Sequence, residues 1–159
     1  MSWRRYCAHA PDTKVAGAAF ARVLRPGDVV LLIGQLGAGK TTFTQGVALG
    51  LGVRDRVTSP TFTMVRQHEC SNDLGITTLH HADVYRVESL AEVRDLDLGE
   101  LVEESGVALV EWGDLAAAIY GPDVLRVAFI LDESDGRTLV VDGARSEDRR
   151  DELDAWASA

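Results

Sequence analysis

Lys40 is one of only two lysines among the 16 lysine and arginine residues of the chain. It lies in the segment Gly34-Gln-Leu-Gly-Ala-Gly-Lys-Thr41, which has the spacing G-x-x-x-x-G-K-[ST]. Glycines in such a loop let successive backbone N–H groups point at phosphate oxygens, and a helix that begins there adds partial positive charge. We expect Lys40 to reach the β- and γ-phosphates from the solvent side, paired only with ligand, and Thr41 to bind Mg²⁺.

This loop predicts a nucleoside triphosphate site, and the rest of the sequence favours ATP over GTP. There is no Asn-Lys-x-Asp segment, which reads guanine, and no Asp-x-x-Gly segment on the Mg²⁺ side. The alternative is a glycine-rich turn with a chance lysine. It is disfavoured because an apolar strand precedes the loop and a helical pattern follows it.

Two acids follow apolar segments that are predicted strands. Glu111 comes directly after residues 107–110, and Asp83 ends residues 77–83. Ligands of open α/β sheets bind at the carboxyl ends of the strands, so Glu111 is expected to hold Mg²⁺ or its waters. Asp83 is expected to position the attacking water or a Mg²⁺-bound water. The alternative for Glu111 is a solvated carboxylate at a strand end, and the residues alone leave Asp83 open.

Two further groups of polar residues have weaker patterns. His80 and His81 suggest a metal site with Asp83, but adjacent residues of a strand point to opposite faces, which disfavours joint zinc binding. Residues 58–62 carry hydroxyls at positions 58, 59 and 61 that can meet Mg²⁺ or phosphate, as in nucleotide-dependent switch loops. The alternative for this segment is an ordinary loop rich in hydroxyls.

The hydrophobic pattern predicts strands and helices that position these residues. A helix begins at Pro11 with Asp12 as N-cap, and a second covers residues 41–51. Further helices are predicted at residues 89–96, 100–104 and 115–120, and strands at 3–7, 29–33, 63–68, 77–83, 107–110, 125–131 and 138–142. The last two strands form a C-terminal β-hairpin. The fold class is therefore α/β, a single P-loop NTPase-type domain whose mixed sheet is flanked by helices.

Composition limits the possible functions. The 159 residues suit one domain, which we place at residues 1–144, followed by a polar C-terminal tail at 145–159 that is a frayed helix or partly disordered. The net charge of −9 argues against a broad nucleic-acid-binding face. No apolar run reaches the roughly 20 residues of a membrane span, and no signal-peptide pattern is present, so we expect no membrane association. The two cysteines, Cys7 and Cys70, cannot form a disulfide framework, which indicates a reducing cytoplasm.

Four segments together resemble the TsaE (YjeE) family, the small ATPase of bacterial tRNA threonylcarbamoyladenosine (t6A) synthesis. They are Gly34-Gln-Leu-Gly-Ala-Gly-Lys-Thr-Thr42, Val57-Thr-Ser-Pro-Thr-Phe62, His81-Ala-Asp-Val-Tyr-Arg86 and Val110-Glu-Trp112. Gln35, Gly113 and His68 depart from residues common in that family, which are Asp, Pro and a nearby Tyr.

The resemblance implies an enzyme that hydrolyses ATP with Mg²⁺ to reset or regulate a complex of the TsaD and TsaB proteins, with tRNA contacted only indirectly. The candidate catalytic residues are Lys40, Asp83 and Thr61, and the candidate metal ligands are Thr41 and Glu111. The candidate nucleotide-binding residues are Thr13, Gly37, Ala38, Gly39, Lys40, Thr41, Thr42, Gly136 and Arg137. The alternatives are a small-molecule kinase and a nucleotide-dependent scaffold that does not hydrolyse ATP.

Overall fold

Seven β-strands form one sheet within the residues that the computed structural model describes, which are 1–58, 65–83, 98–111 and 124–159. In chain order they are β1 (Trp3–Cys7), β2 (Val29–Ile33), β3 (Val65–Glu69), β4 (Thr78–Asp83), β5 (Gly106–Glu111), β6 (Leu125–Leu131) and β7 (Arg137–Asp142). Their order across the sheet is β1-β7-β6-β2-β5-β4-β3. The β2–β5, β2–β6 and β4–β5 pairs are parallel, and the other three are antiparallel. The predicted mixed α/β sheet with a C-terminal hairpin is confirmed.

The same part of the chain contains α1 (Ala10–Phe20), α2 (Lys40–Gly50), α3 (Leu98–Leu101) and α4 (Arg150–Ser158), with 3₁₀ turns at Ala21–Val23 and Ala144–Arg149. The helices α1 and α2 pack closely because glycine lies at their contact. A Cβ atom on Gly17 would overlap the carbonyl oxygen of Phe43. The Phe43 ring in turn lies 5.4 Å from Phe20 and 5.5 Å from Phe129, measured between ring centroids. This aromatic cluster fixes α2 against α1 and the sheet.

The central strands are buried on both faces. Val30, Leu31 and Leu32 of β2 are fully buried, and so is every residue from Val107 to Val110 in β5. Since neighbouring side chains of a strand point to opposite faces, both faces of this region are covered. The carboxyl ends of β2 and β5, where the glycine-rich loop begins and Glu111 lies, therefore have a rigid support.

The structure corrects the predicted ends of two helices. The N-cap of α1 is His9, and Asp12 is the third helical residue, whose carboxylate accepts a hydrogen bond from the His9 N–H at 2.9 Å. An acid that satisfies a free N–H from within the first turn can be mistaken for the cap itself. The helix expected at residues 100–104 is Leu98–Leu101, followed by a turn. The helices expected at 89–96 and 115–120 lie outside the described residues.

The C-terminal segment packs on the domain, so the expectation of a frayed or disordered tail is wrong. Leu153 and Trp156 of α4 are buried, and the Trp156 indole N–H donates to the carbonyl oxygen of Ala16 at 2.9 Å. Arg149 is also buried and forms a two-pronged ion pair with Asp28, the residue before β2. The spacing of positions 149, 153 and 156 places them on one face of a helical turn, a signal that the many charges of the segment obscured.

Within the described residues, no helix has both the length and the apolar character that a membrane crossing requires.

Candidate functional site

Residues 34–39 connect the end of β2 to the start of α2 and form the phosphate-loop geometry predicted from their spacing. Gly39 has φ of +107°, a conformation that residues with a side chain rarely adopt. Its carbonyl oxygen accepts the Phe43 N–H at 2.9 Å, which begins the hydrogen-bond ladder of α2. The loop N–H groups and the helix N-terminus therefore lie beside each other at the carboxyl edge of the sheet.

Lys40 is more buried than the sequence suggested, with 5% of its side chain exposed. Its Nζ donates a hydrogen bond to the Gly34 carbonyl oxygen and lies 3.4 Å from that of Gln35. The expectation of a solvent-side ammonium paired only with ligand is wrong, because the curled loop brings its own carbonyl groups to the ammonium. These contacts fix the Lys40 side chain over the loop, and Lys40 also lines a cavity in front of it.

An open cavity of about 370 Å³ lies in front of the loop. Most residues selected from the sequence line it together. Its lining is Ala10, Leu36, Gly37, Gly39, Lys40, Thr41, Thr42, Asp83, Glu111 and Arg137. These residues come from α1, the loop, α2, two neighbouring strands and the hairpin, so the sheet order and the helix packing bring them to one place.

Glu111 lies at the wall of this cavity and is 3% exposed. The Thr41 hydroxyl donates a hydrogen bond to its Oε1 atom at 2.8 Å. Burial by itself would raise the pKa of Glu111, but the neighbouring His81 imidazole, the Thr41 hydrogen bond and the Lys40 charge hold that pKa below its usual value. Glu111 is therefore an ionised carboxylate at neutral pH.

Asp83 lies next to Glu111 because β4 and β5 are parallel and in register. Asp83 is the pairing partner of Glu111 at the carboxyl ends of these strands. Both side chains reach the same cavity. Two carboxylates from neighbouring strand ends thus line the same cavity as the phosphate loop, as the two predicted strand ends suggested.

The hairpin reaches the loop through Arg137. Its Nη1 atom donates to the Ala38 carbonyl oxygen at 3.0 Å, and its Nη2 atom donates to that of Asp135 at 3.1 Å. A Cβ atom on Gly39 would lie 2.6 Å from Arg137 Nη1. The guanidinium therefore covers the backbone of the loop and contributes positive charge to the cavity.

The structure does not place four other candidate residues in the lining of the cavity. Thr13 is fully buried, and a Cβ on Gly39 would lie 3.4 Å from its methyl group. Gly136 packs against the hydroxyl of Tyr6. Thr13, Gly136 and Ala38 do not line the cavity, and Thr61 lies outside the described residues. The ligand roles assigned to all four stay predictions.

Sequence reasoning considered His81 with His80 and Asp83 but missed its contact with Glu111. Its Nε2 atom lies 3.3 Å from Glu111 Oε2, and its side chain is fully buried. A signal was available, because His81 precedes Asp83 by two residues of the same strand and therefore shares its face. His80 points to the other face, so the argument against joint zinc binding by the two histidines agrees with their placement.

The residues present fit Mg²⁺. This ion prefers oxygen ligands, needs only one or two protein groups, and takes its remaining ligands from phosphates and water. Thr41 and Glu111 supply such oxygens beside the loop, and Asp83 lies in the same cavity. The described residues contain no cluster of three or more His, Cys, Asp or Glu side chains suited to a metal held by protein alone. The donor set therefore suits a metal bound together with a nucleotide.

The sequence also matches a known family. A family profile described as "Threonylcarbamoyl adenosine biosynthesis protein TsaE" matches residues 7–139. The chain belongs to the TsaE family. A protein from Bacillus subtilis (strain 168) described as "tRNA threonylcarbamoyladenosine biosynthesis protein TsaE" is 46% identical over 115 residues, which are 72% of this chain and 68% of that protein. A protein of the same description from Treponema pallidum (strain Nichols) is 44% identical over 109 residues, 69% of this chain and 77% of that one.

A solved structure supports the same assignment. The crystal structure of Bacillus subtilis YdiB matches with a TM-score of 0.77 and 32% sequence identity, covering 98% of this chain and 95% of that chain. The chain thus has the TsaE fold, a P-loop-type nucleotide-binding domain in which the seven-stranded sheet carries the loop. The resemblance inferred from four short segments is confirmed by a match over most of the chain.

Proposed function

We propose that this TsaE family member hydrolyses ATP with Mg²⁺ in tRNA t6A biosynthesis. The observation that carries the proposal is the single cavity in which the phosphate loop, Thr41, Glu111 and Asp83 come together. The loop and Lys40 supply positive charge for the phosphates, and the two carboxylates line the same cavity.

Lys40 and the loop backbone bind the triphosphate in this proposal. The ammonium already lies among the loop carbonyl groups, so a phosphate oxygen competes with Gly34 for a donor that is held in place. Arg137 adds a second cation from the hairpin side. Because these charges are fixed before the nucleotide arrives, little reorganisation accompanies the transfer of charge during the reaction.

Thr41 and Glu111 hold Mg²⁺. Thr41 donates its hydroxyl hydrogen to Glu111, which leaves the oxygen lone pairs of Thr41 available to a cation. Glu111 is ionised and orders the water ligands of the metal. When bound, Mg²⁺ neutralises charge that develops on the β- and γ-phosphate oxygens. Asp83 orients the attacking water, and Thr61 is proposed to contact the γ-phosphate from the switch-like segment 58–62.

We further propose that hydrolysis serves to reset or regulate a TsaB–TsaD transferase complex in the cytoplasm. The descriptions of the curated relatives as tRNA threonylcarbamoyladenosine biosynthesis proteins support this pathway. Contact with tRNA runs through these protein partners. ATP hydrolysis should therefore be measured for the isolated chain, for the chain with TsaB and TsaD, and with candidate phosphoryl acceptors. Product on an acceptor would indicate a kinase, and stimulation of complex turnover without phosphate release would indicate a scaffold.

The decisive variant is Lys40→Met, which keeps most of the aliphatic side chain and removes the charge. We expect phosphate release in the presence of TsaB and TsaD to fall by at least about 100-fold, since one lost electrostatic donor typically costs this much. Lys14→Met is the matched control, because Lys14 is the other lysine of the chain and is exposed. Hydrolysis by Lys40→Met at the rate of Lys14→Met would refute the proposed role of the loop.

Substitution of the two carboxylates should impair different steps of the reaction. Glu111→Ala should lower the apparent Mg²⁺ affinity, so that excess Mg²⁺ partly restores hydrolysis. Asp83→Ala should leave nucleotide binding largely intact and lower kcat. If Asp83→Ala loses nucleotide binding as completely as Lys40→Met, its assignment to the attacking water is wrong.

A further inference from the structure

His81 is a buried polar side chain to which the proposed reaction assigns no role. Its imidazole is fully buried on the face of β4 that also carries Asp83. Among the described residues, neither ring nitrogen has a well-aligned hydrogen bond. Because a buried polar group without a full partner is costly, such a residue in a native core calls for an explanation beyond packing.

The surroundings of Glu111 provide that explanation. Its carboxylate has two oxygens, and a different group faces each one. Thr41 Oγ1 lies 2.8 Å from Oε1, and His81 Nε2 lies 3.3 Å from Oε2. With one contact on each side, rotation of the carboxylate about its own axis is restricted. His81 pairs with Leu109, two residues before Glu111 on the same face, so the strand register itself delivers the imidazole to this place.

We propose that His81 is a positioning residue. Its Nε2–H group contacts Oε2 of Glu111, and this contact fixes the orientation of the carboxylate beside the Thr41–Mg²⁺ site. The 3.3 Å distance between Nε2 and Oε2 is longer than the Thr41 bond, and it places the imidazole beside the carboxylate oxygen that Thr41 does not contact. The carboxylate then needs no other buried donor. The inference rests on the proposed function, because it assumes that Mg²⁺ and a nucleotide bind beside Thr41.

Metal-dependent nucleotide binding separates this role from simple core packing. The affinity for a fluorescent, non-hydrolysable ATP analogue is measured twice, with excess Mg²⁺ and with excess EDTA. Loss of a group that orients a metal-binding carboxylate typically lowers metal affinity 10–100-fold. For His81→Leu we therefore expect the gain in affinity caused by Mg²⁺ to fall about tenfold. The affinity in EDTA should be unchanged.

His80→Leu is the matched control. His80 is the adjacent residue of β4, is also buried, and contacts the Leu101 backbone on the opposite face of the sheet. We expect His80→Leu to lose stability but to keep the full gain from Mg²⁺. An equal loss of the Mg²⁺ gain in both variants would assign the effect to damage of the strand and overturn the inference.

Two polar variants keep the test decisive if His81→Leu does not fold. His81→Gln places an amide N–H₂ near the position of Nε2, whereas His81→Asn places it near Nδ1, away from Glu111. Positioning therefore predicts that His81→Gln keeps the Mg²⁺ gain and His81→Asn loses it. If His81→Asn keeps the full gain in nucleotide affinity caused by Mg²⁺, the inference about His81 is overturned and the proposed metal site is not affected. No gain in the wild-type chain would overturn the proposed metal site together with the inference.

Discussion

The buried ion pair between Arg149 and Asp28 should be essential to the stability of the domain. Arg149 is 2% exposed and Asp28 is 1% exposed. The guanidinium contacts both carboxylate oxygens, at 2.7 Å for Nη2 and Oδ1, and it also donates to the Val23 carbonyl oxygen at 3.1 Å. The pair joins the segment before α4 to the start of β2, the strand that leads into the phosphate loop.

The Arg149→Met variant keeps the volume of the side chain and leaves the carboxylate of Asp28 buried. Removal of one partner from a buried ion pair typically costs about 3–5 kcal/mol. Asp28 keeps the Arg25 backbone N–H at 2.7 Å and Arg145 at 3.9 Å, so the loss should lie near the lower limit. We expect a decrease of about 3 kcal/mol in the free energy of unfolding, or about 6–12 °C in Tm for a domain of this size.

Urea unfolding followed by circular dichroism measures this change, with Arg150→Met as the control. Arg150 is the next residue and is exposed, so its substitution should leave the midpoint where it is. A decrease of less than about 1 kcal/mol for Arg149→Met at an unchanged m value would refute the reasoning. It would mean that water or Arg145 compensates Asp28 once the guanidinium is removed.

Three further predictions concern the phosphate loop, two buried histidines and tRNA. Gly39→Ala should abolish nucleotide binding, measured by calorimetry, because φ is +107° there and the new methyl group would displace Arg137. Burial and then the neighbouring His81 lower the pKa of His68, and burial lowers that of His80. In the unfolded chain the pKa values of both histidines return to about 6.5. The unfolded chain therefore binds more protons than the folded one, so thermal stability should decrease as the pH falls from about 7.5 to 5.5. The isolated chain, with a net charge of −9, should bind tRNA no more tightly than about 10⁻⁴ M at physiological salt in an anisotropy titration.

Each of these has a clear contrary outcome. Nucleotide binding by Gly39→Ala at the wild-type affinity would show that the loop tolerates a side chain at this conformation. A Tm that is constant or rises between pH 7.5 and 5.5 would contradict neutral, buried histidines. Micromolar tRNA affinity that falls steeply with salt would reveal a basic surface that the charge distribution does not suggest.

Much of the fold could be predicted because its signals are local. The apolar run at residues 29–33 is bounded by a turn and a glycine-rich loop, so β2 and the loop followed from neighbouring residues alone. The hairpin of β6 and β7 followed from alternation around a turn. Helix ends were less secure, since Asp12 satisfies a free N–H from inside the first turn and has the same residue type as a cap.

The candidate site was predicted as a set of residues but not as a network of contacts. Strand ends identified Asp83 and Glu111, and spacing identified the loop. The contact of His81 with Glu111 was missed because it depends on β4 lying beside β5 in a given register. Lys40 was expected at the solvent side because it was assigned to the ligand alone, but the curl of the loop brings the Gly34 carbonyl oxygen to it and buries it.

The sequence by itself determined the type of site, because phosphate binding by backbone N–H groups needs glycines, a lysine and a helix start within eight consecutive positions. Only the tertiary structure decided which distant groups meet there. Thr41 and Glu111 are 70 residues apart, Ala38 and Arg137 are 99 apart, and Asp28 and Arg149 are 121 apart. Such contacts are set by strand order and register, which arise from burial of the whole sheet and not from any one segment.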